Sequence, residues 1–163
     1  MKPTILSVLV DNNYGIVARI AGLFSRRGFS MNSLTGEETH EPNVSRITIS
    51  VTQKEEEIAQ IQKQVEKLVD IKEVTLLDSK TDVVRELALI KVENSEILSQ
   101  KIKIFTEDYS VKVVDINNNA VIFQLCSSKD NIDQFIEKLR PFNILESART
   151  GVIALESINK SNI

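Results

Sequence analysis

Apolar positions along the chain alternate between a period of two and a period near 3.6, and these switches divide it into elements. "TILSVLV" (4–10) is a continuous β-rich run, the pattern of a strand covered on both faces. Ile16, Ile20, Leu23, Phe24 and Arg27 then recur at helical spacing, which predicts an amphipathic helix over 16–27. Arg26 and Arg27 suit the negative end of that helix dipole, and Gly28 is placed to take a left-handed cap. A strand over 30–38, a turn at "THEPN" (39–43) and the alternating "SRITISV" (45–51) read as a hairpin. In "SRITISV", Ile47, Ile49 and Val51 share one face, with Thr48 and Ser50 on the other. Ile58, Ile61, Val65 and Leu68 mark a second helix opened by the acids Glu55, Glu56 and Glu57, and "IKEVTLL" (71–77) closes the half as a strand.

The second half repeats the order. "RELALIKV" (85–92) reads as a strand, and residues 95–106 as a helix with Leu98, Ile102 and Phe105 inward. "YSVKVVDI" and "AVIFQLC" are strands joined by the "NNN" turn at 117–119. Ile132, Phe135, Ile136 and Leu139 form a helical stripe that stops before Pro141, and a last strand runs through "ARTGVIAL" (148–155). The expectation is an α+β protein of two tandem βαββαβ ferredoxin-like domains, 1–79 and 83–163, joined by the polar link "DSKTD" (78–82).

Composition narrows the function. The chain has 163 residues, 42% hydrophobic and 26% charged, with a net charge of −3. Residues 1–80 hold 10 of the 20 basic and 11 of the 23 acidic side chains, so neither half is basic enough to grip nucleic acid through phosphates. No apolar run reaches the ~18 residues of a membrane span, and "MKPTILSVLV" lacks the features of a signal peptide. The single cysteine, Cys126, fits a cytoplasmic protein without an internal disulfide. With eight aromatic residues, the two cores are expected to be aliphatic and modest. Each small unit also leaves a sheet face or edge bare, so oligomerisation is expected.

Catalytic chemistry finds little support. His40 falls in a hairpin turn and Cys126 near the end of a strand in the other half, which reads as a solvent-facing histidine and a structural thiol. No metal-ligand spacing occurs, and Gly15, Gly22 and Gly28 do not form a nucleotide-binding motif. The turn "DNNYG" (11–15) is different. It opens a helix whose first N–H groups lack intrahelical acceptors and favour a small anion such as a carboxylate. Gly15 lets a ligand approach the backbone, and the Asn12 amide can both donate and accept. The same pattern also marks an ordinary cap and turn.

"ILSVLVDNNYGIVARIAGLFSRRGFSMNSLT" resembles the start of the small, regulatory subunits of acetolactate synthase, also called acetohydroxyacid synthase. The likeness continues through "SRITISV", "QIQKQVEKLVDIKEV", "RELALIKV" and "ARTGVIAL", over nearly the whole chain. The resemblance implies an N-terminal ACT domain, a βαββαβ amino-acid sensor, followed by a second ferredoxin-like domain. It implies a regulatory subunit without a catalytic site of its own. The partner would be a larger catalytic chain that uses thiamine diphosphate, magnesium and FAD. That transferase condenses pyruvate with a second 2-keto acid at the entry to branched-chain amino-acid biosynthesis. The small subunit raises its activity and confers feedback inhibition, usually by valine.

Carried over by motif, the family's effector site uses Asn12, Gly15 and Ile16 of one ACT domain and Ser30 and Met31 of its neighbour, so it would exist only in a homodimer. Met31 reads equally as a core residue of a strand. Two departures bear on effector affinity. Ser30 stands where the family often has Asn, which keeps a hydroxyl but loses an amide's reach. "GEE" (36–38) replaces residues that are more often small and uncharged. Two other readings remain open: an activating interaction subunit that has lost its sensor, and a stand-alone amino-acid-sensing ACT protein.

Overall fold

The structure is a computed structural model in which residues 3–160 are described. Eight strands and four helices follow in the order β1 (Thr4–Asp11), α1 (Ile16–Arg27), β2 (Ser33–Glu38), β3 (Val44–Val51), α2 (Glu55–Val65), β4 (Ile71–Leu77), β5 (Val83–Glu93), α3 (Glu96–Tyr109), β6 (Lys112–Ile116), β7 (Ala120–Ser127), α4 (Lys129–Leu139) and β8 (Ile144–Leu155), with a short 3-10 turn over Ile158–Lys160. Two four-stranded sheets result, with orders β2-β3-β1-β4 and β6-β7-β5-β8. This is the tandem βαββαβ, ferredoxin-like α+β architecture. The described residues form two compact units, one running to Val84 and rejoined by the chain from Gly151 onward, and one from Arg85–Thr150.

In the first unit β1 pairs antiparallel with both β3 and β4, and β3 with β2. Alternation sends Leu6, Val8 and Val10 of β1 and Ile47, Ile49 and Val51 of β3 toward the helices, against Ile20 and Phe24 of α1 and Ile61 and Val65 of α2. α1 ends as its sequence requires. Gly28 takes the left-handed conformation at φ 69°, and the amides of Gly28 and Phe29 donate to Ser25 and Phe24 carbonyls, closing the helix in a Schellman turn. α2 starts with half a capping box, the Lys54 amide donating to Glu57 at 3.2 Å.

The other face of this sheet is not bare. Ile5 and Leu77 pack there with Val84, Val152 and Ala154 of the same unit, and Ser7, Thr48 and Ser50 are buried. The expected open face is therefore partly covered by the unit's own later segments.

In the second unit Ala88, Ile90 and Val92 of β5 and Val121, Phe123 and Leu125 of β7 meet Leu98, Phe105, Ile132, Phe135 and Leu139 of α3 and α4. Ser95 and Ser128 cap α3 and α4 by accepting from the Leu98 and Asn131 amides. The expectation of an aliphatic core fails here. Phe105, Tyr109, Phe123, Phe135 and Phe142 form a cluster of edge-to-face and tilted rings, so most of the chain's aromatic residues concentrate in one unit.

Several boundaries also differ. β2 begins at Ser33, leaving Ser30 and Met31 in the connection after Gly28. α2 ends at Val65, with Leu68 beyond it but still packed on the core. α3 continues to Tyr109 because that ring packs on Phe135, and left-handed Ser110 stops it at φ 52°. β8 begins at Ile144, whose side chain packs on the second core.

Candidate functional site

The turn between β1 and α1 is shaped by Gly15. Its φ of 81° lies in the left-handed region, and nothing lies within 4 Å of the position a Cβ would occupy. A side chain there would be strained by the backbone and would fill the space in front of the helix. The Ile16 amide donates to the Asn13 carbonyl at 3.3 Å, and the Arg19 amide donates to the Gly15 carbonyl at 2.9 Å. α1 has no side-chain N-cap bond and no acid in its first turn. Beyond the Ile16 bond to Asn13, no side chain caps the leading N–H groups, and no acid of the first turn offsets the positive dipole end. Tyr14 is fully exposed and Asn12 and Gly15 are exposed, whereas Ile16 is buried in the core and anchors the helix start.

Neighbouring elements hold this turn from two sides. The Asn12 amide donates to the Asn43 carbonyl at 2.8 Å, and Asn43 itself is left-handed at φ 61°. The Asn43 amide donates to Glu38 Oε1 at 3.0 Å. One acid of the "GEE" departure therefore braces the hairpin loop that carries the Asn12 contact. On the other side, the Asp11 amide donates to the Asp70 carbonyl at 2.9 Å, and Asn13 Nδ2 to Asp70 Oδ1 at 2.7 Å. Lys72 Nζ meets Asp11 Oδ1 at 2.8 Å, and that hydrogen bond, with Asp11's charge, raises Lys72 above its ordinary value.

Ser30 is exposed, and Met31 is half-buried against the first core. Within one chain these two residues lie far from Gly15. Asp11 pairs with Val44 at one end of β3, whereas the Asn32 amide donates to the Ser50 carbonyl at the other end, opposite Ile5. Six residues of strand separate the two ends, roughly 20 Å at the usual rise. The length of α1 gives a similar figure of about 18 Å. The structure therefore brings Asn12, Gly15 and Ile16 together and leaves Ser30 and Met31 at the opposite end of the sheet.

Asn13, Arg19, Asn43 and Asp70 were not singled out in the sequence. The one available signal was Asp70 in "LVDI", an acid between apolar residues at the start of a strand. His40 is exposed in the β2–β3 loop and Cys126 is exposed on β7. Among the described residues, no group of three or more His, Cys, Asp or Glu side chains could hold a metal ion. No helix among them is long and apolar enough to cross a membrane.

Comparison with known proteins adds a family to this geometry. Residues 85–158 match the family described as the small subunit of acetolactate synthase, and residues 6–73 match the AHAS small subunit-like ACT domain. The chain is 38% identical over 157 residues to the acetolactate synthase isozyme 3 small subunit of Salmonella typhimurium, with 96% of each chain covered. It is 37% identical over 160 residues to the probable acetolactate synthase small subunit of Archaeoglobus fulgidus, covering 98% of this chain and 99% of that one. Among solved structures, the acetolactate synthase small subunit from Thermotoga maritima matches with a TM-score of 0.89 at 34% identity, over 96% of this chain and 98% of that one.

Proposed function

The chain belongs to the acetolactate synthase small-subunit family, with an ACT domain in its first half, and from that premise we propose that it regulates a separate catalytic chain through a bound branched-chain amino acid. It works in the cytoplasm as a homodimer, contributes no catalytic group, and leaves the thiamine diphosphate, magnesium and FAD chemistry to its large partner. Valine is the first candidate effector.

The observation that carries this reading is the uncapped start of α1 beside Gly15, with open space before it and the remaining expected contacts at the far end of the sheet. The effector carboxylate faces the first-turn amides, and its ammonium group meets the Asn12 side chain or a facing carbonyl. Ser30 and Met31 of a second chain close the site. Burial of an isopropyl group contributes about 1.5–3 kcal/mol. Charge-assisted hydrogen bonds contribute about 1.5–3 kcal/mol each before ordering costs. The balance suits a Kd from about micromolar to millimolar, the range in which a metabolite reports its own abundance. A preference of about 1–3 kcal/mol for one dimer arrangement changes the active population of the partner by about 5- to 150-fold in equilibrium constant.

The test mixes the purified chain with its large catalytic partner and follows 2-keto acid condensation with and without valine, leucine and isoleucine. Stimulation by the chain and inhibition by at least one of the three is expected. Stimulation without inhibition by any of them would leave an activating subunit that has lost its sensor.

A further inference from the structure

Asp70 touches all three parts of the segment that forms the β1–α1 site. Its carbonyl accepts from the Asp11 amide at the end of β1, at 2.9 Å. Its Oδ1 accepts from Asn13 Nδ2 in the turn, at 2.7 Å. Its Oδ2 is in ion-pair contact with the guanidinium of Arg19, four residues after Gly15 in α1, and accepts no hydrogen bond from any other group. A register shift between Leu9 and Val10 in the β1–β4 pairing occurs where Val10 meets Ile71, and so places the preceding residue, Asp70, against Asp11. The residue is buried although Val69 beside it is almost wholly exposed.

A buried carboxylate is costly unless it is paired and hydrogen-bonded, and Asp70 meets that cost through Asn13 and Arg19. Asp70 meets Asp11, Asn13 and Arg19 together, so it ties the strand end, the turn and the first helical turn to one another beyond the backbone bonds from the Asn13 amide to the Asp11 carbonyl and from the Ile16 amide to the Asn13 carbonyl. We propose that Asp70 is the positioning residue of the effector site. It holds the Asn12–Ile16 turn in its binding shape before any ligand arrives, and it neutralises Arg19 so that the helix start, not a mobile guanidinium, receives the effector's carboxylate. The binding part rests on the regulatory reading above, while the pinning of the turn stands without it.

The experiment measures amide hydrogen exchange of the free, full-length chain together with calorimetry of valine binding, for the wild type, Asp70→Ala, Asp70→Asn and Asn13→Ala. Asp70→Ala is expected to speed exchange at Asn12, Asn13 and Ile16 by about tenfold or more, with β3 and α2 unchanged, and to weaken valine by a similar factor. Asp70→Asn keeps an acceptor for Asn13 and is expected to recover most of the protection. Asn13→Ala changes an exposed residue, so it removes one of the contacts even if Asp70→Ala does not fold. Exchange unchanged in the turn of Asn13→Ala, or raised equally throughout the unit, would overturn the proposal. Should the wild type bind none of the branched-chain amino acids, the sensing reading fails, and the exchange data alone decide whether Asp70 pins the turn.

Discussion

Arg149 closes on the buried carboxylate of Glu86 through two parallel hydrogen bonds, Nε to Oε1 and Nη2 to Oε2, each 2.8 Å long. Its third nitrogen, Nη1, donates to Asp133 Oδ1 on α4 at 2.6 Å, so one guanidinium joins β5, α4 and β8 of the second unit. The planar fork matches both oxygens of Glu86, a geometry lysine does not offer. Arg149→Met would leave the buried Glu86 carboxyl without its guanidinium partner on the core face of the sheet. A loss of about 3 kcal/mol is expected, the low end for breaking a buried pair because Arg149 is partly solvated. Glu86→Leu combined with Arg149→Met removes both charges and is expected to recover most of that loss. Urea unfolding of the wild type and the two variants checks this, and equal losses in the single and double variants would contradict it.

Asp82 makes the stability of the first unit depend on pH. Its side chain is buried, with Oδ1 accepting from the Ser157 amide at 3.0 Å, and Oδ2 from the Asp78 amide at 2.8 Å and Lys160 Nζ at 2.6 Å. Burial pushes its carboxyl up, but the Lys160 hydrogen bond and the two amides outweigh that and hold it below the usual carboxylate value. A lowered folded-state pKa means that stability is fully present above the unfolded value, near 4, and is lost as pH falls through the lower folded value. The wild type is therefore expected to lose stability on acidification below about pH 5. Asp82→Asn should be about 1–3 kcal/mol weaker at pH 7 and less sensitive to acid. Melting temperatures at pH 7, 5 and 3 test this, and parallel curves for the two proteins would contradict it.

Gly15→Asp puts a side chain and a negative charge where the proposed site would hold an effector's carboxylate, at a backbone angle that side chains rarely adopt. Feedback inhibition is expected to disappear while stimulation of the catalytic partner is largely retained. Gly15→Ala lacks the charge and is expected to cost about 1 kcal/mol of stability through its positive φ and to weaken the effector less. Rate assays over a valine titration distinguish the two. Unchanged valine sensitivity in Gly15→Asp would remove this turn from the site.

The strands of the fold were legible because alternation and continuous β-rich runs report a two-faced or buried strand locally, as in "SRITISV" and "TILSVLV". Element ends were less so. Tyr109 belongs to α3 because Phe135, 26 residues later, receives its ring, a contact invisible in a local window. Ser30 and Met31 look strand-like, yet Met31 packs on the core from a loop and the ladder starts only at Ser33. At the candidate site, Gly15 was readable because turn chemistry is local. Asp70 was not, since its role depends on a register shift in β1–β4 and on contacts 57 residues apart in sequence.

The most direct measurement counts valine sites in a heterodimer purified through two different tags, one chain carrying Gly15→Asp and the other Ser30→Trp. Each variant homodimer should bind no valine. In the heterodimer one seam combines both lesions, while the other joins an intact Gly15 turn to an intact Ser30, so calorimetry should find one restored site per dimer. A heterodimer as silent as its parents would contradict a site shared between two chains.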